Sequence, residues 1–303
     1  MKKIIVIVGP TGIGKTSFAI KAATHFNGEI VGADSMQIYK HMDIGTAKPD
    51  SEEMIQAPHH LVDFLDPKEE FDAGAFVRTA DKIISDIISR GKIPIVVGGT
   101  GLYVRALING LFRSTTINEQ TLEQLTQDIE KNGNLHVYHR LQACDPIAAK
   151  KIHPNDTFRV IRALEVFLTT GKKISDRHKS HNFKEKRYDT IKIGLFMDRE
   201  KLYQRINMRV DIMLDQGLLN EVRSLVEKGY SLDLKTMQSI GYKQMGLFIK
   251  GEVDWDEAIR LLKRDTRRYA KRQMTWFKKE SNIRWYKPDE FETAIPVLKD
   301  FLT

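Results

Sequence analysis

One cysteine, Cys144, stands among 303 residues. It excludes an internal disulfide framework and a cysteine-based zinc cluster, which fits a reducing cytoplasm, and alone it reads as a small buried hydrophobe. Long apolar runs are missing too. None approaches the roughly 20 residues needed to cross a bilayer, so no membrane role is expected. The start, KKIIVIVGP, has a basic tip and a short apolar run but no small-residue cleavage site, so a buried strand is expected there rather than a secretory leader. Internal repeats and low-complexity tracts are also absent. What remains is the composition of a soluble globular protein, with 29% charged and 41% hydrophobic residues, long enough for one large domain or two modest ones.

The charge is unevenly spread. The net charge is +8, yet residues 260–287 alone hold eleven lysines and arginines against Asp265 and Glu280. Basicity gathered in one segment points to a polyanion partner at one place. Tyr269, Trp276 and Phe277 are interleaved with those cations, and phosphate neutralisation with aromatic stacking is how proteins hold RNA. A solvated helix face with an aromatic core stripe would look the same.

Strands and helices alternate through the first third. IIVIV reads as a strand covered on both faces, followed by a glycine turn and the helix TSFAIKAATHF. EIVGADSMQIY gives a strand ending near Asp34, FDAGAFVRTADKIISDIISRGK a helix stopped by Gly91, and IPIVVGGTGLYVRALI a strand, a turn and a helix. The fold class expected is α/β, with a parallel sheet flanked by helices and ligands beyond the carboxyl ends of its strands. From about Ser114 helical patterns follow one another without a strand, until TIKIGLFMD reads as a strand again. The economical reading is an all-helical insertion over 114–186 within a core made of 1–113 and 187–303. Beyond it, Leu202, Ile206, Val210, Met213, Leu214 and Leu218 form a helical stripe suited to core packing.

The chemistry sits at the strand ends. Residues 9–16, GPTGIGKT, follow the GxxxxGK[ST] pattern between a strand and a helix. Glycines let successive N–H groups turn toward an anion, the helix N-terminus adds its dipole, Lys15 a point charge, and the Thr16 hydroxyl a ligand for Mg²⁺. Gly9, Pro10, Thr11, Gly12, Ile13, Gly14, Lys15 and Thr16 therefore form a candidate diphosphate cradle on a P-loop NTPase-like core. The pattern alone does not say whose phosphate it holds. Asp34 is placed to accept a proton or hold Mg²⁺, unless it only caps a turn. Gly98–Gly101, GGTG, offers close backbone approach to a ligand or merely a tight turn. Arg205 and Arg209, four apart on one helix face, could close over a diphosphate. His59 and His60 are adjacent, which is no metal spacing, and read as structural.

Together GPTGIGKT, GADSMQIYKHMDIGTAKP, APHHLVD, VVGGTGLY, HPND with RVIRALEV, and SIGYKQM with RRYAKRQMTWF resemble the bacterial tRNA dimethylallyltransferases, in the family's order from residue 9 to about 277. The resemblance implies transfer of a dimethylallyl group from dimethylallyl diphosphate to N6 of the adenine just 3′ of a tRNA anticodon, at position 37. It also implies that the cradle holds an isoprenoid diphosphate with Mg²⁺, Asp34 is the base, and Thr100 lies beside the reacting centre. Contacts to the anticodon stem-loop would come from Asp34, Ser35, Met36, Gln37 and Thr100. Further contacts would come from Phe158, Arg159, Val160, Ile161 and Arg162 of the insertion, from Gln238, Ser239, Ile240, Gly241, Tyr242 and Lys243, and from Arg268 and Arg272. A cytoplasmic monomer is expected. Three other readings remain: a kinase on the same core, a prenyltransferase acting on a free adenine nucleotide, and an RNA-binding module that only senses nucleotide. None of the three uses both the basic segment and the Asp34 and GGTG turns.

Overall fold

The unbroken run IIVIV has a direct structural reason. A computed structural model describes residues 1–111, 119–176 and 185–303. In it β1 (Lys3–Val8) lies between β4 (Ile93–Gly98) and β5 (Asp189–Leu195), inside a six-stranded parallel sheet of order β3-β2-β4-β1-β5-β6. The other strands are β2 (Gly28–Gly32), β3 (His59–His60) and β6 (Ile283–Tyr286). Alternate residues of β1 serve two cores. Ile5 and Ile7 join Phe18 and Ala22 of α1 (Lys15–His25) and Phe291 and Leu298 of α13 (Phe291–Leu302). Ile4, Val6 and Val8 join Phe76 and Ile84 of α3 (Ala73–Ser89), Leu107 of α4 (Gly101–Asn109) and Phe277 of α12 (Trp255–Phe277). Each such branched side chain contributes about 1.5–3 kcal/mol by its burial, which is why no polar residue interrupts the run.

Local signals set the helix ends. Asp72 caps α3 by accepting the Ala75 N–H at 2.7 Å, and Gly91, at φ 69°, lies just beyond its end. The stripe from Leu202 to Leu218 does not belong to one helix. Leu202, Ile206 and Val210 are buried on α9 (Arg199–Asp215), Met213 and Leu214 are only partly covered, and Leu218 opens α10 (Leu218–Glu227). Gly217, at φ 97°, separates the two in a left-handed conformation that an L side chain would resist. α9 and α10 share a third core with α11 (Tyr242–Ile249), α12, Ile38, Tyr39 and Met42.

The chain divides into two compact units, Met1–Ile108 with Lys186–Thr303, and Asn109–Glu185. The second contains α5 (Glu119–Asn132), α6 (Asn134–Cys144), α7 (Pro146–Ala149) and α8 (Thr157–Thr170), packed around Leu125, Val137, Leu141, Val160 and Leu164. Asp145 is fully buried there, and it is satisfied: it accepts the Ala148 N–H at 3.0 Å and the Ser175 N–H at 2.9 Å. Cys144, expected to be buried, is only partly so. The expected insertion start at Ser114 lies outside the described residues, as do residues 177–184. Among those described, no helix is long and apolar enough to cross a membrane. The short α2 (Ser51–Gln56) is held by a capping box between Asp50 and Glu53.

Candidate active site

Turns following β1 and β2, with the carboxyl end of β4, open onto one cavity of about 410 Å³ in the first unit. Thr11, Gly12, Gly14, Lys15 and Thr16 line one side. Gly12 (φ 78°) and Gly14 (φ 102°) take left-handed conformations that aim the loop's amides inward. α1 starts from Gly14 with no side-chain cap, so its first N–H groups are left for a ligand. Lys15 Nζ donates to the Pro10 carbonyl at 2.9 Å. Burial lowers its pKa to about 8, against the pull of Asp34 and with the push of Arg209. Gly9, Pro10 and Ile13 do not line the cavity. Ile13 buries its side chain completely in the sheet's first core, which leaves its backbone alone for a ligand.

Asp34 lies opposite. Its Oδ1 accepts the Met36 N–H at 2.9 Å and the Gln37 N–H at 3.4 Å, and no donor among the described residues reaches Oδ2. The turn cap and the free oxygen coexist, so capping does not use up the carboxylate. Ser35, Met36 and Gln37 line the cavity beside it. Thr100 does not, but its Oγ1 accepts the Ser35 N–H at 3.1 Å and so supports that turn.

GGTG is expected to give close approach to a ligand or a tight turn; Gly98 lines the cavity, and the three glycines also make room for protein neighbours. A Cβ on Gly98 would lie 2.0 Å from the Ala33 carbonyl, one on Gly99 2.2 Å from Gln273 Nε2, and one on Gly101 2.2 Å from Trp276 Nε1. They admit protein neighbours and let the strand ends close up. Gln273 exploits the opening: it accepts the Thr11 N–H at 2.8 Å and donates to the Gly99 carbonyl at 3.0 Å, bracing the phosphate loop against the GGTG turn. The sequence reading passed over it among the cations, although it shares a helical face with Leu262, Thr266, Tyr269 and Ala270, a polar residue on an inward stripe.

That face corrects the reading of the basic segment. Phe277 belongs to the core, and Trp276 lies under the Arg105 guanidinium, 4.5 Å from its ring, so neither is open for stacking on RNA. Tyr269 lines the cavity, where burial pushes its hydroxyl pKa well up. Several cations are spent inside the protein: Lys263 on Asp211 at 2.5 Å, Arg264 on Asp265 at 2.8 Å, Arg267 on Asn207 at 2.7 Å, and Arg260 on Glu257 at 2.5 Å. Arg272 lines the cavity, while Arg268 is well exposed, its only carboxylate partner among the described residues Asp265 at 3.8 Å.

Arg209 also lines the cavity. Burial lowers its pKa, and Asp34 and Glu53 oppose that shift. Arg205 is exposed beside Gly14, its Nη2 3.7 Å from where a Cβ there would stand. Gln238, Ser239, Ile240 and Gly241 also line the cavity. Tyr242 is fully buried and Lys243 is exposed off the cavity, so a side-chain contact by Tyr242 is ruled out. The turn at 45–47 (Gly45, Thr46 and Ala47) lines the cavity too and was missed, because nothing local marks it. In the second unit Phe158 is 74% exposed, Arg159 pairs with Asp156 at 3.0 Å and Arg162 with Glu165 at 2.5 Å. Val160 is in that unit's core and Ile161 packs against it, which removes Val160 as a side-chain contact.

Among the described residues no cluster of three or more His, Cys, Asp or Glu could hold a metal. Thr16 and Asp34 offer the cavity one hydroxyl and one carboxylate. That sparse oxygen set fits Mg²⁺, which keeps several waters and takes phosphate oxygens. His60 Nε2 contacts buried Glu29 at 2.7 Å at the sheet edge, a structural placement.

Comparison with known proteins agrees with this architecture. The family model described as IPP transferase matches residues 37–280, and that of isopentenyl transferase matches residues 2–65. The tRNA dimethylallyltransferase of Acetivibrio thermocellus is 50% identical over 99% of this chain and 96% of its own, and that of Desulfosudis oleivorans 47% over the same shares. The crystal structure of the tRNA isopentenylpyrophosphate transferase of Bacillus halodurans superposes with TM-score 0.74 at 41% identity, covering 100% of this chain and 96% of that one. A eukaryotic dimethylallyltransferase acting on tRNA reaches TM-score 0.84 at 35% identity, over 100% of this chain and 80% of that one. The chain belongs to the IPP transferase family of prenyltransferases.

Proposed function

We propose that this chain is a tRNA dimethylallyltransferase that acts as a cytoplasmic monomer. It moves a dimethylallyl group from dimethylallyl diphosphate to N6 of the adenine 3′ of the anticodon and releases diphosphate. The observation that carries the reading is one cavity lined by an uncapped helix start, Lys15, Arg209 and Asp34, whose Oδ2 no donor among the described residues reaches.

N6 is a poor nucleophile because its lone pair is delocalised into the purine. Attack becomes feasible as the allylic C1–O bond breaks and positive charge gathers at C1. The loop amides, Lys15 and Arg209 hold the departing diphosphate, and these donors are fixed before reaction begins. The N6 lone pair forms the bond to C1, the C1–O electrons leave with diphosphate, and Asp34 Oδ2 takes the N6 proton. Thr16 and Asp34 would hold Mg²⁺, which would supply further charge neutralisation on the diphosphate. The target adenine must leave its stack to enter the cavity, at a cost of a few kcal/mol that is smallest in a loop. Phe158 and Arg159, Arg268 and Arg272 are the exposed or cavity-lining groups offered to the RNA.

The test uses radiolabelled dimethylallyl diphosphate and Mg²⁺ in three parallel arms: with unmodified tRNA, with AMP, and with γ-labelled ATP in place of both. Label is expected on tRNA alone. Label on AMP would move the acceptor to a free nucleotide, and ATP turnover without transfer would make the protein a kinase.

A further inference from the structure

Gln37 lines the cavity three residues after Asp34, and its amide has one sensible orientation. Its Nε2 lies 2.8 Å from the Ala47 carbonyl oxygen and 3.2 Å from that of Thr46. An amide oxygen in that place would face two sets of lone pairs, so the nitrogen belongs there and both of its protons are spent. No donor among the described residues reaches Oε1. The polar atom Gln37 has left for a ligand is an acceptor.

The two carbonyls hold still because their loop is anchored from far away in the chain. The Glu221 carboxylate on α10 accepts three consecutive amides: Asp43 at 3.0 Å, Ile44 at 2.8 Å and Gly45 at 3.1 Å. The Tyr242 hydroxyl donates to the same carboxylate at 2.6 Å. Burial and Glu221 push the Tyr242 pKa up, so it stays a donor. Gly45 fits beneath it only as glycine, since a Cβ would lie 2.4 Å from the Tyr242 ring. Lys48 ties the far end, donating to the Tyr39 carbonyl at 2.8 Å and pairing with Asp43 and Asp63. Neither Glu221 nor Tyr242 lines the cavity.

We infer that Glu221, with Tyr242, is a positioning residue that sets base selectivity. Through the 43–47 loop it fixes Gln37 with its amide protons spent and its oxygen free, so the cavity selects a purine edge bearing an amino group over one bearing a carbonyl. A carbonyl there would oppose the Gln37 oxygen and leave it unpaired. The inference rests on the tRNA prenyl-transfer reading above and deepens it.

The experiment measures binding of the full chain to two anticodon stem-loops that differ only in adenosine or inosine 3′ of the anticodon, without isoprenoid donor. Label transfer to the adenosine loop is assayed separately. Wild type is expected to prefer adenosine by on the order of 10- to 100-fold. Glu221→Gln sets an NH₂ against the loop amides, and Gln37→Met removes the acceptor; each should cut that preference about tenfold. Tyr242→Phe, which keeps the ring, should cut it less. A merely structural role would lower melting temperature and affinity for both loops alike. Unchanged preference in Tyr242→Phe and Gln37→Met would overturn the inference even if Glu221→Gln fails to fold. Wild type that transfers label yet binds both loops equally overturns the inference and keeps the transferase reading. Wild type that transfers nothing to the adenosine loop overturns both.

Discussion

Two sides of one cavity are built on different principles. The phosphate side, residues 9–16, is local: left-handed glycines, an uncapped helix start and Lys15 all come from one short stretch. The opposite side, residues 34–47, is braced by distant side chains as well as by its own turn hydrogen bonds. Its supports are Thr100, Glu221 and Tyr242, with Glu221 lying more than 170 positions away in the chain. A main-chain cradle tolerates side-chain change and shows itself as a sequence pattern. A side-chain scaffold depends on a few distant residues and shows itself only when folded.

The largest expected effect breaks the reactive side. Asp34→Asn removes the proton acceptor but can still accept the Met36 amide, so turnover should fall roughly 10²–10⁴-fold with smaller loss of tRNA affinity. Steady-state rates and a binding titration check this, and near-normal turnover would remove Asp34 from the role. Next, Gln273→Ala separates the phosphate loop from the GGTG turn. It leaves the Thr11 N–H and the Gly99 carbonyl unpaired, each costing about 1–3 kcal/mol, and should lower both the unfolding midpoint and diphosphate affinity.

A pH titration sharpens the comparison on the phosphate side. Lys15 titrates at about 8 in the free protein, and a bound diphosphate raises that value. Diphosphate affinity should therefore be full below about pH 8 and weaken about tenfold per pH unit above it, until the bound-state pKa is passed. Calorimetry across pH 7–10 measures it, and Lys15→Met should flatten the slope. The smallest effect concerns the basic helix. Arg268→Ala should reduce the salt slope of tRNA binding by about 1, whereas Lys263→Ala, whose cation is already paired with Asp211, should change it little.

The same division explains what was legible in the sequence. GPTGIGKT and the Gly91 stop depend on neighbours within a few residues, IIVIV carries its two-sided burial in its own composition, and the parallel sheet followed from the alternation of strands and helices. GGTG was visible as a motif, but its reason was not, because Ala33, Gln273 and Trp276 approach from other elements. Charge counting overstated the basic segment, since the pairing of Lys263 with Asp211 is a tertiary fact. The break at Gly217 was readable in principle: a glycine inside an amphipathic stripe marks a helix end as readily as a gap.

The central claim is that an isoprenoid diphosphate sits in the phosphate loop while the anticodon-adjacent adenine faces Asp34. Nuclease mapping with mass spectrometry of tRNA incubated with the protein, Mg²⁺ and dimethylallyl diphosphate tests it most directly. The account predicts a single dimethylallyl group on N6 of the adenine 3′ of the anticodon. Label at any other nucleotide, or none on tRNA while ATP is consumed, would contradict it.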